Sequence, residues 1–277
     1  MGPRDLVAKL EDLEILDGVS DALARAVNSV AARFKSLLSG TWLGHALHPA
    51  LTDVPIGCWT GAVTLDLIGG ERSAGAVDPL VGLGVLATLP SAVTGLNDWA
   101  DSYGGERRLG LIHAAVNAAA LGLFTASLIS DRRARQLRLL GFATVSIGAY
   151  LGGHLTYAKG LGVDHQAFIE KPVDWVDVQE LEALDDGVPV AVAAGSARVM
   201  LYRKGDEIYA ISDTCPHAGG PLHEGEVDAE LGVTCPWHGS RFRLHDGAAV
   251  RGPATAPAIL YETRVRSGRV EVRAAAR

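Results

Sequence analysis

Three stretches, Pro79–Asn97, Leu111–Ser130 and Leu139–Ala158, contain no Asp, Glu, Lys or Arg. Each is close to the roughly 20 apolar residues that an α-helix needs to cross a bilayer. A fourth apolar stretch near 47–68 is less regular, because Asp53 and Asp66 lie inside it and Pro49 and Pro55 interrupt its start. Spans near 47–68, 79–99, 110–130 and 136–158 are separated by turns such as Gly69-Gly70-Glu71-Arg72 and Ser130-Asp131-Arg132-Arg133. Connections that short predict an antiparallel up-down bundle. Ahead of it, Leu23, Val27, Val30, Phe34 and Leu37 recur at helical spacing, with Arg25, Arg33 and Lys35 elsewhere. That pattern predicts an amphipathic helix, lying on the membrane surface or packed against another part of the protein. Beyond Pro172 the period changes to the alternation of strands, over Val188–Ala193, Val199–Arg203, Ile208–Ile211, Val233–Thr234, Ile259–Arg266 and Val270–Arg273. The expected fold is thus a four-span α-helical membrane bundle followed by a small all-β domain. Its parts are amphipathic N-terminal helices over 1–40, the bundle over 41–160, a linker over 161–171 and the β domain over 172–277.

Composition narrows the function. The net charge of −7 argues against a nucleic-acid partner. Three cysteines, Cys58, Cys215 and Cys235, exclude a disulfide framework and point the last two toward metal ligation. Cys58, inside the first span, reads as a small buried hydrophobe. No basic start followed by a short apolar core opens the chain, so no cleaved secretion signal is expected. Basic residues near the span ends are balanced between the two sides and do not orient the bundle. The expected location is a bacterial inner membrane, in contact with lipid, with the β domain on the cytoplasmic side.

The strongest chemical signal is Cys215-Pro216-His217, followed after seventeen residues by Cys235-Pro236-Trp237-His238. Both pairs fall on loops between predicted strands. Two thiolates and two imidazoles suit an iron–sulfur centre in which cysteines hold one iron and histidines the other. Gly219, Gly220 and Pro221 beside the first pair let the backbone wrap closely around inorganic sulfides. A structural zinc site is the competing reading, although one intervening residue in Cys215-x-His217 is tight for zinc. His223 and His245 are needed by neither and read as solvated loop residues.

Residues from about Pro172 to Arg277 resemble a Rieske [2Fe–2S] domain, through the four ligands, their spacing, the flanking Gly219-Gly220-Pro221-Leu222 and the later Gly252-Pro253-Ala254-Thr255. The resemblance implies that Cys215 and Cys235 bind one iron and His217 and His238 the other. It is to bacterial ferredoxins of this type, since the disulfide-forming cysteine pair of the cytochrome bc proteins is absent. Ser240 stands where high-potential members place a serine hydroxyl near the cluster, and Phe242 stands where they place a tyrosine. Residues 42–165, with His45-Ala46-Leu47-His48-Pro49, Asp53-Val54-Pro55-Ile56-Gly57 and Gly95-Leu96-Asn97-Asp98-Trp99, resemble a bacterial multi-span membrane family of unknown function. The implied function is a one-electron relay between a redox donor, such as a reductase, and an acceptor. The alternatives are an oxygenase component and a zinc-stabilised or redox-sensing membrane scaffold. An oxygenase iron would have only His45, His48 and Asp53 to imitate a two-histidine, one-carboxylate site, and His48 precedes Pro49, which disfavours regular helix there.

Up-down topology carries His45, His48, His113 and His154 toward one membrane face. His113 and His154, on consecutive antiparallel spans, suit the axial positions of a haem, leaving His45 and His48 for its propionates or a quinone. A hydrogen-bond network with Asp53 and Asp98 is the plainer reading. An intramembrane carboxylate such as Asp53 or Asp66 is either functional or bonded near the interface. Thirteen linker residues, Lys159 to Lys171, reach at most about 43–47 Å, which keeps the β domain near that face.

Overall fold

The computed structural model describes residues 2–130 and 132–275, which form two compact units. The first comprises 2–33 and 47–161, the second 34–46 and 162–275. In chain order the helices are α1 (Pro3–Glu11), α2 (Asp17–Ala31), α3 (Lys35–Ser39), α4 (Leu47–Ile68), α5 (Ala74–Trp99), α6 (Gly104–Leu128) and α7 (Ala134–Tyr157). All but α3 belong to the first unit.

Among the described residues three helical stretches are long and apolar enough to cross a membrane: Glu71–Trp99, which adds a short turn to α5, then α6 and α7. The sequence reading counts four. The missing one is α4, whose 22 residues include Asp53 and Asp66 as well as three threonines. His48 is helical despite Pro49, because a proline in the first helical turn lacks only an amide that would be unpaired there in any case.

The bundle is two helical hairpins, α4 with α5 and α6 with α7. They are built alike. Trp59 of α4 lies so close to Gly84 of α5 that a Cβ there would overlap the indole, and Phe124 of α6 meets Gly141 of α7 in the same way, 3.0 Å from an added Cβ. The two rings then stack on each other, with centroids 4.3 Å apart and planes 11° from parallel.

At the far end of the hairpins, Arg138 of α7 is buried and clasps Asp66 of α4 with two hydrogen bonds of 2.5 and 2.8 Å, and reaches Asp78 of α5 at 3.3 Å. Asp66 is therefore the structural partner of a buried cation, and the pair ties three helices together.

The N-terminal helices are held on the opposite end. Arg108 forks onto Asp17 at 2.6 and 2.7 Å, Arg107 meets Asp21 at 2.6 Å, and Asn28 Nδ2 donates to Ala100 O at 3.1 Å. Their outward side keeps Leu6, Val19, Leu23 and Val30 exposed. The helix α2 thus packs through Ser20, Ala24, Val27 and Ala31, while its larger apolar side chains Val19, Leu23 and Val30 stay uncovered.

The second unit holds ten strands: β1 (Val176–Glu180), β2 (Val190–Ala194), β3 (Ala197–Lys204), β4 (Glu207–Ser212), β5 (Glu226–Val227), β6 (Gly232–Thr234), β7 (Arg241–Arg243), β8 (Ala249–Arg251), β9 (Leu260–Arg266) and β10 (Arg269–Ala274). They make an antiparallel six-stranded sheet ordered β1-β10-β9-β4-β3-β2 and a four-stranded sheet ordered β5-β6-β7-β8. Alternation along β3 sends Val199 and Leu201 into one core and Met200 and Tyr202 into another, so this strand is covered on both faces. Residues 34–46 also pack here: Ser36 Oγ accepts from Gly252 N at 3.0 Å and Thr41 Oγ1 donates to Ala254 O at 3.0 Å. The stretch expected as a linker is pinned too, with His165 N donating to Pro216 O and Ile259 N donating to Gln166 Oε1.

Replacing Arg138 by Leu leaves Asp66 buried without its cation and is expected to cost about 3–5 kcal/mol of bundle stability, read from unfolding in detergent. The double variant Arg138→Leu/Asp66→Leu should recover most of that loss, and equal instability of the two would contradict the pairing.

Candidate metal centre

Two loops of the second unit share one construction. The first leaves β4 and the second joins β6 to β7. In the first, Cys215 N donates to Gly220 O at 2.8 Å and Gly219 N returns to Cys215 O at 2.8 Å. In the second, Cys235 N donates to Ser240 O at 2.8 Å and Gly239 N returns to Cys235 O at 3.1 Å. Gly219 and Gly239 have φ of 80° and 74°, the left-handed conformation that a side chain would strain. Cysteine, left-handed glycine and closing residue thus recur at the same spacing, so each loop presents a thiol and an imidazole.

The loops bring all four predicted side chains together. Cys215 and Cys235 are buried and hydrogen-bonded to each other. The His217 and His238 rings lie 4.9 Å apart, nearly perpendicular. Amides of His217 and Ala218 point at one sulfur and those of Trp237 and His238 at the other. A Cβ at Gly220 would stand 3.0 Å from Cys235 Sγ and from the Trp237 ring, so only glycine lets the loops approach this closely.

The electrostatics favour ligands. The thiol–thiol hydrogen bond raises Cys215 far above its ordinary range and, with the loop amides, lowers Cys235 to about 6, so one thiolate is available at neutral pH. Burial lowers His217 to about 3, with the neighbouring His238, Lys35 and His165 adding repulsion. A neutral imidazole is the form that ligates metal.

The centre is braced from behind. Buried Asp213 accepts from Arg198 Nη2 at 2.8 Å and from both the backbone N and the ring Nδ1 of His223 at 2.8 Å. His223 is therefore not a solvated loop residue, because a carboxylate beneath the first loop holds it; His245 is exposed. Ser240 is fully buried and its Oγ accepts from Ala254 N at 2.9 Å, which leaves its own proton to donate. Phe242 is equally buried in the core.

Comparison with known proteins supports the same identity. Residues 174–267 match the Rieske [2Fe-2S] domain and residues 44–165 match a predicted membrane protein family, DUF2231. The chain is 38% identical over 78 residues to the ferredoxin CarAc of Metapseudomonas resinovorans, covering 28% of this chain and 72% of that one. It is 32% identical over 99 residues to the anthranilate 1,2-dioxygenase ferredoxin subunit of Burkholderia cepacia, covering 36% and 91%. It is 38% identical over 93 residues to the 3-phenylpropionate/cinnamic acid dioxygenase ferredoxin subunit of Escherichia coli K12, covering 33% and 80%. The chain belongs to the Rieske [2Fe–2S] family. Membership implies a [2Fe–2S] cluster, and the paired loops of this Rieske domain fit one, with two buried thiols, two adjacent imidazoles and amides aimed at the sulfurs.

The histidines of the membrane domain separate. His154 Nε2 lies 3.3 Å from Glu11 Oε1, and Glu11 also receives Lys159 Nζ at 2.7 Å. His154 is two residues beyond Gly152, on the opposite side of α7 from the face that meets His113. The expected His113/His154 pair is therefore not formed. His113 Nδ1 bonds Gly148 O, and His48 Nδ1 bonds Ser91 O, each at 2.9 Å. His45 is exposed and grouped with the second unit, and Asp53 is exposed on α4.

Hydrogen bonds to the sulfurs stabilise the more negative reduced cluster and so raise its potential. With Ser240 able to donate and Phe242 not, the potential should fall in the lower part of about −150 to +300 mV. Phe242→Tyr should raise it and Ser240→Ala lower it in voltammetry; wild-type protein near the upper limit would contradict this.

Proposed function

We propose that this chain is a membrane-anchored Rieske electron carrier, in which Cys215 and Cys235 hold one iron of the cluster and His217 and His238 the other. The observation that carries the reading is the pair of matched loops bringing those four side chains together with a thiolate available and His217 neutral. The cluster, when bound, exchanges single electrons. The chain's own residues keep water from the sulfurs, supply amides to them and leave Trp237, half exposed, beside His238 at the surface where a partner docks.

The relatives are ferredoxins, two of them dioxygenase ferredoxin subunits, so the partners proposed are a reductase as donor and a redox protein as acceptor. A haem or quinone held by the bundle is the further group with which the cluster exchanges electrons. The bundle anchors the carrier in lipid, with α4 as a fourth span whose Asp66 is neutralised by Arg138. The Rieske domain then stands on the cytoplasmic side of a bacterial inner membrane.

Purified protein should contain about two irons and two acid-labile sulfides per chain. It should accept electrons from a dioxygenase-type reductase, and Cys215→Ser or His238→Ala should abolish both the reduced-state paramagnetic signal and that transfer. Stoichiometric zinc without sulfide would overturn the assignment.

Four spans put the residues before α4 and the α4–α5 turn on opposite sides. A cysteine replacing Glu71 should react with an impermeant maleimide added to intact cells, whereas one replacing Glu14, exposed ahead of α4, should react only after lysis. Labelling of both from one side would remove α4 as a span.

A further inference from the structure

The two hairpins of the bundle repeat each other in sequence register as well as in packing. Eleven residues separate His48 from Trp59 on α4 and His113 from Phe124 on α6; eleven also separate Gly84 from Gly95 on α5 and Gly141 from Gly152 on α7. The partners repeat with them. The His48 ring lies on Gly95, where an added Cβ would be 2.7 Å from Cε1, and its Nδ1 bonds Ser91 O, four residues earlier. The His113 ring lies on Gly152, where an added Cβ would be 2.9 Å from Cε1, and its Nδ1 bonds Gly148 O, again four residues earlier.

This register fixes where the two imidazoles stand. Eleven residues are just over three turns and about 16 Å of rise, so each histidine shares a helix face with its aromatic partner. Trp59 and Phe124 stack on each other, which places those faces opposite and at one level. His48 and His113 therefore also face each other at one level, one rise closer to the N-terminal ends of α4 and α6.

Their chemistry is matched too. A carbonyl oxygen only accepts, so Nδ1 of each ring carries a proton and Nε2 is left to present its lone pair. Among the described residues, His48 Nε2 has no hydrogen-bond partner, and His113 Nε2 has only the Asn117 amide at 3.3 Å. The glycine beneath each ring and the carbonyl at its Nδ1 hold it in place.

We infer that His48 and His113 are the axial ligand pair of a haem bound within the duplicated bundle. A bare metal ion needs three or four protein donors, and among the described residues no group of three or more His, Cys, Asp or Glu side chains could hold one. A porphyrin iron already has four nitrogens and lacks two opposed ligands, which this pair supplies. The inference deepens the proposal of a redox group in the bundle, and it is independent of which metal the Rieske loops bind.

The test uses the full-length protein, produced with added δ-aminolevulinate and purified in detergent. About one haem per chain with a low-spin Soret spectrum is expected, either as isolated or after titration with haemin. His48→Ala and His113→Ala should each lower haem content at least tenfold, while His154→Ala keeps it. His48→Met should retain haem with shifted visible bands, which a merely structural histidine would not produce. The cluster's paramagnetic signal, followed in every variant, reports folding of the Rieske domain separately and would fail by itself if only the cluster assignment were wrong. Wild-type protein that takes up no haemin, or alanine variants at 48 and 113 with wild-type haem content, would overturn the inference.

Discussion

Close approach to a bare backbone decides where the informative side chains of this protein sit. In the Rieske domain Gly220 lets one loop press against the thiol and indole of the other, and a methyl group there would force the sulfurs apart. In the bundle, glycines of α5 and α7 receive the rings of α4 and α6 one by one. Helices in lipid gain little from hydrophobic exclusion between them, so packing at this distance is the main attraction available. The same contacts bring ring nitrogens within reach of main-chain carbonyls, so packing and orientation of the histidines come from one feature.

Polar groups inside the bundle are handled by pairing. Arg138 and Asp66 are costly to bury singly and tolerable as a forked pair, and the pair joins α4 to α7, the first and last helices of the two hairpins. At the other end Arg107 and Arg108 hold the N-terminal helices through Asp21 and Asp17. Val19, Leu23 and Val30 of α2 are thereby left on its outer side, while Ala24 and Val27 pack on Trp99 and Ala100.

The Rieske domain was legible because its chemistry is concentrated in short loops: cysteine, proline, histidine and glycine at fixed spacing have few other uses. The strands β2, β3, β4, β6, β9 and β10 follow from alternation, whereas β1 escapes it because a bulge breaks its pairing with β10, and β5, β7 and β8 are only two or three residues long. The support beneath the loops was not legible. His223 reads as a loop histidine until the fold brings Asp213 under it from ten residues away. In the bundle, topology alone could not rotate the helices, so His154 was paired with His113 when it turns to Glu11, and His45 falls with the second unit. A usable signal was present: the histidine-to-aromatic and glycine-to-glycine intervals of eleven residues, repeated in both hairpins. Span-by-span reading hides such a duplication because the segments between these positions are simply apolar.

What each histidine bonds separates its uses in this chain. His154 and His223 meet carboxylates, which tie each ring to one place, a structural use. His217 is kept neutral by burial among other basic groups. His48 and His113 meet carbonyls, which fix a proton on Nδ1 and leave Nε2 without a partner on His48 and with only the Asn117 amide on His113. A metal ligand needs that second condition, a lone pair held in a set direction by a proton fixed on the other ring nitrogen. Within the bundle only the pair related by the internal duplication satisfies it among the described residues, which is why duplication of a one-histidine hairpin is a direct route to a two-histidine site: each copy supplies half of the coordination, and stacking of Trp59 on Phe124 sets the halves at one height.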